Sequence, residues 1–163
     1  MSLTLTPQPL SATAFAPFGD VLEVSGEPDK LINQGLCGRF HDKAVLDFHG
    51  GRAGISIFNA EPRSLSYTLD MMERHPDGSQ AFIPMHQNPY LVIVAADKNG
   101  TPAQPVAFLA AAGQGVNYHR NIWHGVLTPL HTPGLFAVID RIGDGANLQE
   151  HWFDQPYTVA PNV

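Results

Sequence analysis

A chain of 163 residues with 44 % hydrophobic side chains is long enough for one compact domain with its own core. Its formal charge of −6 carries no run of lysine or arginine, which argues against a nucleic-acid or anionic-membrane partner. No apolar stretch nears the roughly 20 residues that span a bilayer, residues 1–10 lack the regions of a signal peptide, and the single Cys37 forbids an intrachain disulfide and points to the reducing cytoplasm.

Charged side chains make up only 15 %, against about 25 % in ordinary soluble domains. Part of the surface is therefore expected to be covered by a second copy, as a homodimer.

In chain order, residues 10–15 are the best helix candidate, with Ser11 as the cap of a turn that ends before Pro17. Short β-rich runs then recur between Gly, Pro and Asn turn signals, at 19–24, 54–59, 65–75, 90–96, 106–111, 125–130 and 135–141. Regularly spaced short strands predict an all-β barrel or sandwich, and the absence of a linker or repeat predicts a single domain over 1–163.

The run 65–75 is the most informative. Side chains on a strand alternate faces, so Leu65, Tyr67, Leu69, Met71, Glu73 and His75 share one side and Ser66, Thr68, Asp70, Met72 and Arg74 the other. A regular strand drives Glu73 and His75 inward together, where they need a partner or a metal. The alternative ends the strand at Met72 and leaves 73–76 as a solvated turn. Beyond Pro76-Asp77-Gly78, Gln80 opens an apolar run, so Glu73, His75 and Gln80 converge from one hairpin-like unit. A second cluster is Tyr118-His119-Arg120-Asn121-Ile122-Trp123-His124. His119 and His124 are five apart and fit neither one helix face nor one strand face. A turn at Arg120-Asn121 removes the conflict, because asparagine tolerates the left-handed conformation.

Elsewhere the bland readings prevail. His41, His49, His86, His131 and His151 are expected on loops or the surface, Cys37 as a buried inert thiol, 61–63 as a turn, and Asp140-Arg141 as an internal ion pair.

The hairpin resembles the first cupin motif, with Glu73 and His75 at its two histidine positions and Gln80 at the acidic one. Asn121-Ile122-Trp123-His124 resembles the second motif, with His124 at the metal-binding histidine. Longer blocks resemble the ureidoglycolate lyase family: Phe15-Ala16-Pro17-Phe18-Gly19-Asp20-Val21, Ile32-Asn33-Gln34-Gly35, Arg39-Phe40-His41-Asp42, Glu73-Arg74-His75-Pro76, the run from Gly78 to Pro84, the run from Gln114 to His124, and Asp140-Arg141. The resemblance implies a cupin-like β-barrel (a double-stranded β-helix), a homodimer, and cleavage of (S)-ureidoglycolate to glyoxylate and urea in allantoin degradation, a branch of purine metabolism. It also implies a nickel cofactor. Glu73, His75, Gln80 and His124 are then the metal ligands, a donor set that suits nickel, zinc or manganese. His119 is the expected catalytic acid or base. Arg39, Arg74 or Arg120 would take the substrate carboxylate, and Tyr118 the pocket wall beside it. Two rival readings are a ureidoglycolate hydrolase that releases ammonia and a non-catalytic barrel that binds a small carboxylate.

Overall fold

The computed structural model describes residues 3–161; Met1 and Ser2, at the start of the segment read above for a signal peptide, lie outside them. The chain opens with β1 (Thr4–Leu5), β2 (Gln8–Pro9), the single-turn helix α1 (Ala12–Phe15) and β3 (Gly19–Leu22). A hairpin of β4 (Lys30–Ile32) and β5 (Cys37–Arg39) precedes β6 (Arg52–Asn59), β7 (Tyr67–Arg74), β8 (Gln80–Pro84) and β9 (Tyr90–Ala95). Next come β10 (Asp97–Lys98), β11 (Thr101–Pro102), β12 (Val106–Ala110), β13 (Gly115–Tyr118) and β14 (Trp123–His124). The chain closes with β15 (Thr128–Pro129), β16 (Leu135–Ile142) and β17 (Gln149–Val159).

Two curled sheets form the body. The eight-stranded sheet runs β1-β17-β7-β14-β9-β12-β2, with β15 also on β9, and the five-stranded sheet runs β3-β13-β8-β16-β6. Neighbours are antiparallel except β1 on β17 and β2 on β12. Tyr90, Val92 and Val94 of β9, with Phe108 of β12, face Phe82, Val116, Tyr118, Phe136 and Val138 of the other sheet across the main core. The intervening Leu91, Ile93 and Ala95 point the opposite way, into a second core with Leu69, Met72, Trp123 and Val159. Both faces of β9 are thus buried, which is why all six of its residues are apolar. This all-β pair of sheets is the cupin-like fold expected above.

Local chemistry explains the helix. Ser11 has extended backbone and its hydroxyl accepts from the Ala14 amide at 3.2 Å, as a cap should.

Three strand expectations change. The run 125–130 is not one strand: β14 and β15 both pair with β9, but residues 125–127 leave the ladder between them. The Gly125 amide still reaches the Ile93 carbonyl at 2.8 Å, and the Thr128 hydroxyl donates to the Val126 carbonyl at 2.7 Å, so the detour leaves these groups bonded. The longest strand, β17, was not foreseen, because Asp154, Gln155 and Pro156 interrupt its apolar pattern. Nor does β7 keep one alternation. Leu69 and Met72, three apart, sit in the same core, which a regular strand forbids. The phase slips between them, opposite the register shift at Trp152/Tyr157 of β17.

Candidate metal centre

That slip decides where the chemistry lies. Leu69 faces the outer core, yet Glu73 lies directly opposite His124 on β14, and His124 lies opposite Val94, whose side chain is in the main core. Residues directly opposite in a ladder share a face, so Glu73 and His124 both point into the barrel. His75, two residues on, joins them. The strand runs through Arg74, and the solvated-turn alternative for 73–76 falls away.

One ligand atom from each of Glu73, His75 and His124 lies within 4.8 Å of the other two. The two imidazole rings are 5.2 Å apart, and Tyr118 stacks on His124 at 4.3 Å with the planes 2° from parallel. The Nδ1 of His75 is 2.8 Å from the Asn147 carbonyl, and that of His124 is 3.0 Å from the Gly125 carbonyl. A carbonyl oxygen only accepts, so each Nδ1 carries a proton, and in the neutral ring the lone pair is then on Nε2. Both Nε2 atoms are buried and have no hydrogen-bond partner among the described residues.

For His124 the electrostatics favour the neutral ring. Burial, then the neighbouring His75, push His124 down to about 3, although its bond to the Gly125 carbonyl pulls the other way. His124 is therefore neutral at physiological pH, the form that ligates. Burial raises the Glu73 carboxyl; His75 opposes the rise and Glu150, directly across on β17, adds to it. Burial, with Glu73 nearby, also lifts the Tyr118 phenol far above its ordinary range, so it stays protonated. Two orphaned lone pairs beside a desolvated carboxylate fit a divalent cation held by nitrogen and oxygen donors, with each histidine oriented from behind by a carbonyl.

Gln80, the fourth expected ligand, lies on the inner face of β8, in register with Tyr118 of β13. Its Nε2 donates to Asp140 Oδ2 at 3.2 Å, and its Oε1 is buried without a partner among the described residues.

The other expected residues are placed differently. The His119 ring turns to Asp20, with Nε2 3.4 Å from Oδ1, and is exposed outside the cluster. Arg74, alternating with Glu73, is committed on the far side: Nε donates to Gln149 and Nη1 to Asp97, each at 2.7 Å, and the guanidinium lies 4.4 Å over Trp123. Arg120 donates to Asp47 at 3.1 Å and to the Pro76 carbonyl at 3.4 Å, beside the end of β7. Arg39 is exposed on the β4–β5 hairpin, lining a cleft with Asp29, Lys30 and His41. The turn at Arg120-Asn121 is present: Asn121 has φ 68° and its amide donates to the His75 carbonyl at 2.9 Å.

Three bland readings are corrected. Cys37 is exposed, because its hairpin packs on no apolar layer. Asp140 and Arg141 are not an ion pair: adjacent strand residues face opposite ways, and Arg141 instead donates to the His49 and Asp144 carbonyls. His151 sits half-buried in β17, 5.2 Å from Phe153, rather than on a loop or the surface, whereas His86 is on a loop as expected, 4.8 Å from Phe136. Sequence reasoning missed Glu150 because it missed β17; the run His151-Trp152-Phe153 was the available signal for a strand there.

A cupin-like barrel with a carboxylate and two imidazoles converging in its interior defines a class: a small β-barrel whose inner cluster could hold a divalent metal ion. Comparison with known proteins narrows it. The model of the family "Ureidoglycolate lyase" matches residues 2–160. The chain is 60 % identical over 153 residues to "Ureidoglycolate lyase" of Rhodobacter capsulatus, covering 93 % of this chain and 95 % of that one. It is 50 % identical over 159 residues to "Ureidoglycolate lyase 2" of Rhizobium meliloti, with 96 % and 98 % covered. The chain belongs to the ureidoglycolate lyase family.

Proposed function

We propose that the protein is a carbon–nitrogen lyase that cleaves ureidoglycolate to glyoxylate and urea, with a divalent cation, nickel first, held by Glu73, His75 and His124. The observation that carries the reading is the pair of buried, unpartnered Nε2 atoms facing the Glu73 carboxylate. Ureidoglycolate has a hydroxyl and a ureido nitrogen on one carbon, next to a carboxylate. Its cleavage removes the hydroxyl proton and protonates the departing urea nitrogen. A bound cation would supply Lewis acidity to the substrate oxygens.

The chain's own residues do the rest. Glu73 contributes the negative charge of the donor set, and the carbonyls of Asn147 and Gly125 fix the two rings in their ligating tautomer. Tyr118, a neutral phenol against His124, offers a hydrogen bond rather than a proton. Phe82, edge-on to Tyr118 at 5.7 Å, keeps that wall dry. Of the three arginines, Arg120 is the one proposed for the substrate carboxylate, since it is anchored beside Pro76 while Arg74 is spent behind the sheet.

Incubating purified, nickel-loaded protein with racemic ureidoglycolate tests the reading. Equal amounts of urea and glyoxylate are expected. Ammonia in place of urea would mean a hydrolase, and saturable binding without turnover would mean a sensor.

The assembly proposed is a homodimer. Support comes from the outer face of the five-stranded sheet, where Ile55 (74 % exposed), Ile57 (58 %), Ile83 and Met85 present an apolar surface to solvent. A single domain over the whole chain and a cytoplasmic location complete the proposal; the exposed thiol of Cys37 favours a reducing compartment.

A further inference from the structure

Gln80 raises a question that the donor set leaves open: why is an amide there, and which end of it faces the cluster? Its side chain is 7 % exposed and lies one strand from Tyr118, whose ring covers His124. Its only hydrogen bond among the described residues runs from Nε2 to Asp140 Oδ2, at 3.2 Å, and its buried Oε1 has no partner. Asp140 reaches it because it follows Val138 and Phe136 on the inner face of β16.

We infer that Asp140 is a positioning residue for the metal centre: it holds Gln80 so that the carboxamide oxygen, and not the NH2 group, is presented to the cluster. The inference rests on reading Glu73, His75 and His124 as a cation site. A carboxylate only accepts, so it must receive the amide proton, and the planar amide then turns its oxygen the other way. Released from Asp140, the amide is free to rotate and present a donor where a cation or a ureido N–H needs an acceptor. The same contact explains why glutamine stands where the related motif has an acid. A glutamate at position 80 would set two carboxylates within hydrogen-bond distance of each other, which disfavours ionisation of both.

Two measurements test this, nickel titration by calorimetry and thermal melting of the metal-free protein. Asp140→Ala is expected to bind nickel about 10–100-fold more weakly, the range for losing a partner that orients a metal ligand. Adding Asp140→Ala to Gln80→Ala should weaken binding no further, because both remove the same oriented oxygen. Without metal, Gln80→Glu should melt below wild type, and Gln80→Glu with Asp140→Asn should recover, since donor and acceptor are then exchanged. Folded Asp140→Ala that binds nickel like wild type overturns the positioning role alone. Gln80→Glu that melts like wild type, or that Asp140→Asn fails to rescue, overturns the account of why glutamine is there. Wild type that binds no nickel sinks the underlying cation site, while the metal-free melting still judges the Gln80–Asp140 pair.

Discussion

At the residue scale, the state of a single proton separates a ligand from a core histidine. The carbonyls of Asn147 and Gly125 hold that proton on Nδ1 of His75 and His124, leaving Nε2 free. His124→Ala is therefore expected to lower nickel content and kcat by more than the roughly 10–100-fold typical of losing an outer partner, read by metal analysis and urea release on one preparation. His119 stands apart, with its ring on Asp20. His119→Ala should keep its metal and lose less than about tenfold in kcat; a drop of roughly 10²–10⁴-fold would give it the proton-transfer role after all. Asp97 offers a pH test. Its carboxyl is held below the usual range, first by the Trp123 indole, then by the Gly100 amide and Arg74. A depressed acid stabilises the fold above its unfolded pKa of 3.8, and that contribution is lost as pH falls through the lower folded value. Asp97→Asn should thus be less stable than wild type near pH 6, with the gap closing below pH 3.8, as urea midpoints across that range would show.

At the element scale, the ligand row depends on strands pinned from behind. Arg74 follows Glu73 and Trp123 precedes His124, and Asp97 binds both at 2.7 and 2.9 Å on the side away from the cluster. The turn that joins β13 to β14 is the other fixed point. Asn121, at φ 68°, lets the chain cross from β13 in one sheet to β14 in the other, so that Tyr118 and His124 both point inward, while its amide grips the His75 carbonyl. Asn121→Ala should destabilise the fold by about 1 kcal/mol, the usual cost of a left-handed residue with a Cβ, whereas Asn121→Gly should melt close to wild type. This turn was legible in the sequence because it is local chemistry. The slip in β7 was not: it answers an irregularity in β17, a strand about 80 residues away whose pairing no local pattern announces.

For the whole molecule, the core between the sheets and the apolar face outside them make separate demands. Phe108 is fully buried and edge-on to Phe15 at 5.6 Å, so Phe108→Ala should cost about 3–5 kcal/mol in chemical denaturation. Ile57 is largely exposed in the monomer. Ile57→Asp should leave the subunit folded and convert the proposed dimer to a monomer in light scattering; a monomeric wild type over a wide concentration range would remove the dimer.

What the sequence by itself determined was everything set by spacing and short-range chemistry. The alternating runs announced an all-β fold, Ser11 its cap, Asn121 its turn, and one strand face for Glu73 and His75; that His124 joins them came from the family resemblance. Tertiary structure decided which face each side chain takes. Glu73 and His75 turn inward although Leu69, two and three alternations back, turns outward, because β17 shifts the phase of β7. Asp140 meets Gln80 instead of Arg141, His119 meets Asp20 instead of the cluster, and Cys37 stands in solvent. The reason is physical: a strand's period of two specifies only that neighbours oppose each other, and the absolute choice is made by partners far away in the chain, through pairing that local sequence does not encode.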